Sequence, residues 1–387
     1  MSLDSRTDAP AAQDAVRPGD VCRQVVFPAV GRVELAEALI PELGEDDLLL
    51  RVARVGICAT DLHLLAGHIG EPFPLVPGHE FVGEVAALGA NTAETRSLKQ
   101  GDHVAVEMLL PCHRCPRCRE GRYNLCDEDN PFRGLKQGRQ YGVNIPRTAA
   151  PGLWGGYAEY LYVPGGATVH SIPESVPWDT AALTEPLAVA FRAVKRGRVG
   201  PGDTVVVIGP GPVGILTAAA ARSAGASRIV MVGTRQSRLE LATRFGADIT
   251  VNSREQDAQQ AVAEALGGPA DVVIEMAGVA AAQEQAVQLA RRGGRVVLAG
   301  ACGAGVPVTF HEDEDLLLKE VDILPSFLSA GGFEPSISLL ARGDFPFAEL
   351  VTHRFGLGEV AHAFDVIRAR EGGVIKAVLD PTDGALA

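Results

Sequence analysis

Val205-Val206-Val207-Ile208-Gly209-Pro210-Gly211-Pro212-Val213-Gly214 decides how this chain folds. Four branched apolar residues in a row read as a buried strand. Gly-x-Gly-x-x-Gly follows at once, and Ile215 to Ala224 continues as a strong helix former. A bare glycine triplet carries little information. One that sits between a strand and a helix, with a second strand about 20 residues on, is the arrangement that binds a dinucleotide. There Gly209 permits the tight turn, Gly211 lets backbone approach a pyrophosphate, and Gly214 lets the helix pack on the strand. Pro212 and Val213 complete the loop, and the helix N-terminus faces the anion.

Downstream, apolar runs of strand length alternate with Ala-rich helical stretches: Thr204 to Ile208, Arg228 to Val232, Asp271 to Glu275 and Arg295 to Ala299. Such alternation implies an α/β unit with a doubly wound parallel sheet. Upstream, from Cys22 to about Val106, short alternations such as Leu48-Leu49-Leu50-Arg51-Val52-Ala53-Arg54-Val55 are broken by Gly and Pro, which reads as β-rich with weak helix signals. After about Leu328 the pattern is mixed and ends in a strand-like run, Val374 to Leu379, that need not belong to the second unit. Residues 1–20, rich in Ala, Asp, Pro and Ser, read as a flexible lead-in. A length of 387 residues accommodates two to three domains of about 150 residues each.

The 48 acidic and 35 basic residues leave a net charge of −13, a field that repels phosphate backbones and anionic bilayers. Neither nucleic acid nor membrane is an expected partner. No run approaches the ~18 apolar residues of a membrane span, and Met1 to Asp20 is polar, so the expected location is cytoplasmic. Seven cysteines are an awkward number for a disulfide framework, and four crowd into Cys112 to Cys126. Metal is the better reading.

Cys112-x2-Cys115-x2-Cys118-x7-Cys126 places four soft ligands in one loop, enough for a closed tetrahedral structural zinc site with His113 as a bystander. A second set is dispersed: Gly56-Ile57-Cys58-Ala59-Thr60-Asp61-Leu62-His63, then Gly78-His79-Glu80-Phe81-Val82-Gly83. Spacing alone does not pair Cys58 with His79. Taken singly, a buried Cys and a satisfied His are the commoner explanation. At the end of the second parallel strand, Ala226 to Leu239 contains no Asp or Glu where an NAD site places its ribose-binding acid. Gly233, Thr234, Arg235 and Arg238 there suit a 2′-phosphate and favour NADP over NAD. The alternative is that both arginines face solvent.

Gly-Ile-Cys-x-Thr-Asp-x-His, Gly-His-Glu-x-x-Gly-x-Val, the four-cysteine lobe and the later Gly-x-Gly-x-x-Gly, in this order, resemble the zinc-containing medium-chain dehydrogenase/reductase family, from about Val25 to Leu379. Thr184-Glu185-Pro186-Leu187-Ala188 and Val351-Thr352-His353-Arg354-Phe355 resemble its sorbitol (polyol) and threonine dehydrogenase branch. The resemblance implies a β-rich, chaperonin-10-like catalytic domain over 21–188, with the zinc lobe at 107–127 and a return over 329–387. It wraps a Rossmann domain over 189–328, with the active-site cleft between them.

By the same resemblance, Cys58 and His79 bind a catalytic zinc, giving two zinc ions per chain, and Glu80 or Glu185 completes the set. Which glutamate binds directly stays open. Asp61 would orient His79, Thr60 and His63 would relay a proton, and Ala277, Gly278, Val279, Ala299 and Gly300 would border the nicotinamide. The implied activity is hydride transfer between a secondary alcohol or polyol, or its ketone, and a nicotinamide dinucleotide, in a homodimer or homotetramer. The alternatives are a reductase working mainly toward the alcohol and a catalytically lapsed relative, against which Cys58, Thr60, His79 and Glu185 argue. The segment Asp127 to Gly156, carrying Arg133, Lys136, Arg139, Tyr141 and Trp154, is longer than in the sorbitol enzymes. A solvated loop is the expectation, and a pocket or interface the alternative.

Overall fold

The computed structural model describes residues 16–129 and 138–383. An antiparallel hairpin, β1 (Val21–Val26) with β2 (Glu34–Leu39), opens the chain. Five strands then follow the apolar alternation of the N-terminal half: β3 (Leu48–Gly56), β4 (Glu80–Leu88), β5 (His103–Val106), β6 (Tyr160–Val163) and β7 (Val169–Ser171). They pair antiparallel in the order β3-β4-β5-β7, with β6 on β3.

The second half builds a wholly parallel sheet from β8 (Thr204–Ile208), β9 (Arg228–Gly233), β10 (Ile249–Asn252), β11 (Ala270–Glu275), β12 (Ala290–Leu298) and β13 (Asp322–Pro325). Side-chain alternation along β8 explains why a continuous apolar run is needed. Val205 and Val207 join one core with Ile215 and Ala219, while Val206 and Ile208 join another with Val230 and Val262. A strand covered on both faces has no polar side. The order β10-β9-β8-β11-β12-β13 means that the chain winds outward from β8 and then restarts on its other side at β11. That reversal opens a crevice beyond the strand ends, where doubly wound sheets hold ligands. At its mouth Gly209 has φ +101°, and a Cβ on Gly214 would stand 1.9 Å from the Gly209 carbonyl oxygen, so neither position tolerates a side chain.

Two further strands, β14 (Val351–Gly356) and β15 (Lys376–Asp380), leave the parallel sheet and return to the first, β15 antiparallel to β3 and parallel to β14. The run expected as a strand near the C-terminus is thus the link that closes the molecule on itself. The helix Thr184–Arg196 leads from one sheet to the other and packs along the helix Pro212–Ser223.

One expectation needs correction, and one gains detail. The β-rich stretch with weak helix signals holds only the short helices Ala59–Leu65 and Thr92–Arg96 between its strands. The first is begun by Asp61, whose Oδ2 accepts the Cys58 N–H at 2.9 Å. The segment expected as a solvated loop sends its aromatic side chains into the core in its described part. Tyr141 and Trp154 are buried, the Tyr141 hydroxyl donates to the Tyr162 carbonyl, and Trp154 Nε1 donates to the Ala149 carbonyl. Arg139 Nε likewise donates to the Leu110 carbonyl. Arg133 and Lys136 lie outside the described residues.

Candidate active site and metal centres

β3 ends at Gly56, and β4 begins at Glu80 directly opposite it in the antiparallel ladder. That register does what spacing in the sequence cannot. It brings Cys58, just past the end of β3, to His79 and Glu80, just at the start of β4. Ligand atoms of Cys58, His79 and Glu80 lie within 4.8 Å of one another. Asp61 is wholly buried beneath them: Oδ2 accepts from the Cys58 N–H and the Tyr157 hydroxyl, both at 2.9 Å, and Oδ1 lies 3.5 Å from His79 Nδ1. Burial opposes a proton on His79, but Asp61 and Cys58 outweigh it and raise the ring well above its ordinary value. The surroundings therefore favour positive charge at this ring. Thiolate, imidazole and carboxylate converging under such a field are the donors that zinc takes with one position left open.

The sequence did not disclose Lys376. Its ammonium ion-pairs with Glu80 Oε2 and donates to the Ile57 carbonyl at 3.0 Å, from the first position of β15. Burial works against the charge on Lys376, and Glu80, Cys58 and Glu185 together hold it protonated. Gly56 makes room for the pair, because a Cβ there would stand 2.0 Å from Glu80 Oε2 and 2.9 Å from Lys376 Cε. Glu185, in the first turn of the helix Thr184–Arg196, is buried and not part of the 4.8 Å cluster. Burial and the neighbouring Glu80 charge push its carboxyl up to about 7 against the pull of His79 and Lys376.

Thr60 and His63 sit one helical turn apart on Ala59–Leu65. The Thr60 hydroxyl lies 3.5 Å from Cys58 Sγ. The ring of His63 is exposed, and its Nδ1 is 3.2 Å from Nδ1 of His68, a second residue the sequence did not single out.

The lobe is a separate cluster. Sulfur atoms of Cys112, Cys115, Cys118 and Cys126 lie within 4.8 Å of one another. The N–H groups of Cys112, Cys115 and Cys118 point at sulfur at 3.4 Å, and that of Asp127 at 3.5 Å. The Asp127 N–H leads in holding the Cys115 thiol down at about 6, while burial pushes Cys118 up to about 12. Four sulfurs so close cannot all be anionic without a cation among them, which suits zinc. His113 turns away, its Nε2 2.9 Å from the Gly166 carbonyl oxygen.

At the crevice, a Cβ on Gly211 would meet nothing within 4 Å, so the loop faces open space. Beyond β11 and β12, the N–H groups of Ala277 and Gly278 donate to Glu275 Oε1, and those of Ala299 and Gly300 to its backbone carbonyl, gathering both segments around one buried acid. Val279 is exposed there. Gly233 has a packing reason of its own: a Cβ would stand 2.4 Å from Pro210 Cδ. Thr234 is exposed and Arg235 half-buried, and Arg238 Nη2 donates to the Val374 carbonyl at 2.7 Å.

A cluster of zinc-type donors and a dinucleotide-binding crevice in one chain define the class of zinc- and nicotinamide-dependent dehydrogenases. Comparison with known proteins agrees. Residues 44–174 match the Alcohol dehydrogenase GroES-like domain family, and residues 212–342 the Zinc-binding dehydrogenase family. A chain of Mycobacterium tuberculosis assigned as an alcohol dehydrogenase is 38% identical over 338 residues, 86% of this chain and 90% of that one. The erythritol/L-threitol dehydrogenase of Mycolicibacterium smegmatis is 33% identical, covering 88% and 92%. Among solved structures, a candidate zinc-binding dehydrogenase of Sinorhizobium meliloti 1021 bound to NADP matches with TM-score 0.82 and 33% identity, covering 94% and 100%. An Escherichia coli CFT073 alcohol dehydrogenase complexed with NADH matches with TM-score 0.81 and 27% identity, over the same shares. The chain belongs to the zinc-containing medium-chain dehydrogenase/reductase family, in its polyol dehydrogenase branch. It is an oxidoreductase that transfers a hydride between an alcohol or polyol and a nicotinamide dinucleotide.

Proposed function

We propose that Cys58, His79 and Glu80 would hold the catalytic zinc, that Glu185 acts beside this donor set, and that Cys112, Cys115, Cys118 and Cys126 would hold a second, structural zinc. The convergence of Cys58, His79 and Glu80 within 4.8 Å carries the reading. A zinc ion there supplies Lewis acidity toward a substrate oxygen, and a nicotinamide dinucleotide supplies the hydride acceptor. The chain does the rest. Asp61 fixes the His79 ring, and Lys376 offsets the Glu80 charge so that the donor set as a whole is less anionic. The Thr60 hydroxyl takes the proton of the substrate hydroxyl and passes it toward His63. From His63 the proton reaches solvent through His68, because two Nδ1 atoms 3.2 Å apart can share one proton. Gly209, Gly211, Pro212, Val213 and Gly214 seat the pyrophosphate. Ala277, Gly278, Val279, Ala299 and Gly300 border the nicotinamide, and Gly233, Thr234, Arg235 and Arg238 receive a 2′-phosphate, which makes NADP the preferred cofactor.

We divide the chain into a catalytic domain over 21–188 and 329–387 and a Rossmann domain over 189–328, on the membership of β14 and β15 in the first sheet. The exposed Leu317, Leu318 and Phe327 flank β13, the end strand of the parallel sheet, which supports a homodimer or homotetramer formed through that edge. Among the described residues no helix is long and apolar enough to cross a membrane. A thiolate cluster suits a reducing compartment, so we place the enzyme in the cytoplasm.

The test combines zinc analysis with a panel of polyols, secondary alcohols, cyclitols and amino alcohols against both cofactors. Two zinc ions per chain and turnover of at least one hydroxyl class are expected. A single zinc, retained in Cys58→Ser and lost in Cys115→Ser, would overturn the catalytic assignment.

A further inference from the structure

The end of β9 holds an electrostatic imbalance. Parallel pairing sets Asn252 of β10 opposite Gly233, and Ser253 donates to the Gly233 carbonyl through its N–H at 2.9 Å and its hydroxyl at 3.3 Å. Arg254 and Arg235 therefore leave the sheet from adjacent strand ends. From the other side, the bond from Arg238 to the Val374 carbonyl ties the helix Gln236–Arg244 to the turn after the helix Val360–Ala369. Arg370 caps that second helix in the left-handed conformation, φ 58° and ψ 36°. Burial, then the charges of Arg370 and Arg254, lower the Arg235 guanidinium. Burial, Arg235 and Arg370 bring Arg238 down to about 10.

Among the described residues none of these four guanidiniums pairs with a carboxylate, whereas Arg54, Arg222, Arg244, Arg295 and Arg354 each do. Glu255, next to Arg254, is turned to Asn252 Nδ2 at 2.7 Å. The Pro210 ring bars any acid from position 233. Four cations that repel one another, in a chain whose net charge is −13, are stable neighbours once a multiply charged anion sits among them.

We propose that Arg254 and Arg370 join Arg235 and Arg238 in a four-guanidinium cradle for a phosphomonoester dianion, the 2′-phosphate of NADP(H). Arg370 comes from the segment that returns to the first sheet, so the phosphate bridges that segment and the edge of the parallel sheet. The inference rests on the NADP reading above and extends it to two residues with no place in the dinucleotide motif.

Arg254 and Arg370 are exposed, so replacing them does not threaten the core. Fluorescence titration gives Kd for NADPH and NADH, and calorimetry with adenosine 2′,5′-bisphosphate and AMP isolates the phosphate. In Arg370→Gln and in Arg254→Gln, Kd for NADPH and for the bisphosphate should rise about tenfold, with NADH and AMP within about twofold of wild type. A wild type that prefers NADPH, with variants that bind it unchanged or lose both cofactors equally, overturns this inference and leaves the NADP reading standing. A wild type that prefers NADH overturns both.

Discussion

The two clusters of metal-type donors are built in opposite ways. The lobe takes all four sulfurs from Cys112 to Cys126, a single loop with N–H groups of the same loop turned onto them. The cleft cluster takes Cys58 from just past β3 and His79 and Glu80 from the start of β4, and two further elements, the helix Thr184–Arg196 and β15, bring the Glu185 and Lys376 charges to bear on it. A site made within one loop can form and stabilise the chain without the distant elements having come together. A site made from four elements reports on whether the whole molecule has closed, and that is the arrangement a catalytic centre can use.

The sharpest way to break the comparison is to remove one sulfur from each. Cys58→Ser should abolish turnover, a loss on the order of 10³-fold or more if several kcal/mol of Lewis-acid stabilisation go with it, and leave thermal unfolding nearly unchanged. Cys115→Ser should leave residual turnover in the folded fraction but lower Tm by on the order of 5–10 °C and reduce soluble yield. Equal loss of folding in both variants would erase the distinction.

Next in size is Lys376→Met. It leaves the Glu80 carboxylate buried without its cation, and breaking a buried pair costs about 3–5 kcal/mol. Denaturant unfolding should show that loss, and a change below about 1 kcal/mol would mean that the pair is not part of the assembled site. Glu185→Gln then separates carboxylates that bind from those that only neighbour: kcat with saturating cofactor should fall about 10- to 100-fold, the range for outer residues at a metal site. Unchanged kcat and unchanged zinc content would make Glu185 a bystander.

The smallest effect concerns the clasp that holds the closing strands. Asp179 accepts from Arg54 Nε at 2.7 Å and pairs with Arg354 of β14, while Arg54 also meets Asp380 of β15 at 2.7 Å. Burial raises the Asp179 carboxyl, but the hydrogen bonds and charges of Arg354 and Arg54 outweigh it and leave it lowered. A carboxylate depressed in the folded state stabilises above its unfolded value of about 3.9, and that contribution disappears as pH falls through the folded value. Asp179→Asn should therefore be less stable than wild type at pH 7, by about 1 kcal/mol for a pair partly open to solvent, and the gap should close as pH falls through the folded value of Asp179.

What the sequence discloses follows the same division. The parallel sheet and its glycine loop are legible because each strand and helix carries its own period, and the four cysteines because their spacing is the site. The cleft donors Cys58 and His79 are recognisable only through resemblance, since the β3–β4 register that joins them has no local mark. Lys376 and His68 escape altogether: a lysine opening a strand and a histidine after a short helix look like ordinary surface residues until the strand is seen to be buried and the helix to end beside a second imidazole. Tyr141 and Trp154 were hidden for the opposite reason, because a polar, Gly- and Pro-rich stretch suggests solvent even when its aromatics fill the core.

The contact from Lys376 to the Ile57 carbonyl joins residues 319 positions apart. A ribosome delivers the two ends of that bond 319 residues apart in time. The four sulfurs of the lobe can gather while the rest of the chain is still being made, but the Glu80 carboxylate waits for its counter-charge until Lys376 has left the exit tunnel. A chain truncated before β15 would emerge with its first sheet unfinished and an acidic hole at its centre. β15 thus supplies a late counter-charge: the buried Glu80 carboxylate gains this cation only once Lys376 has been made.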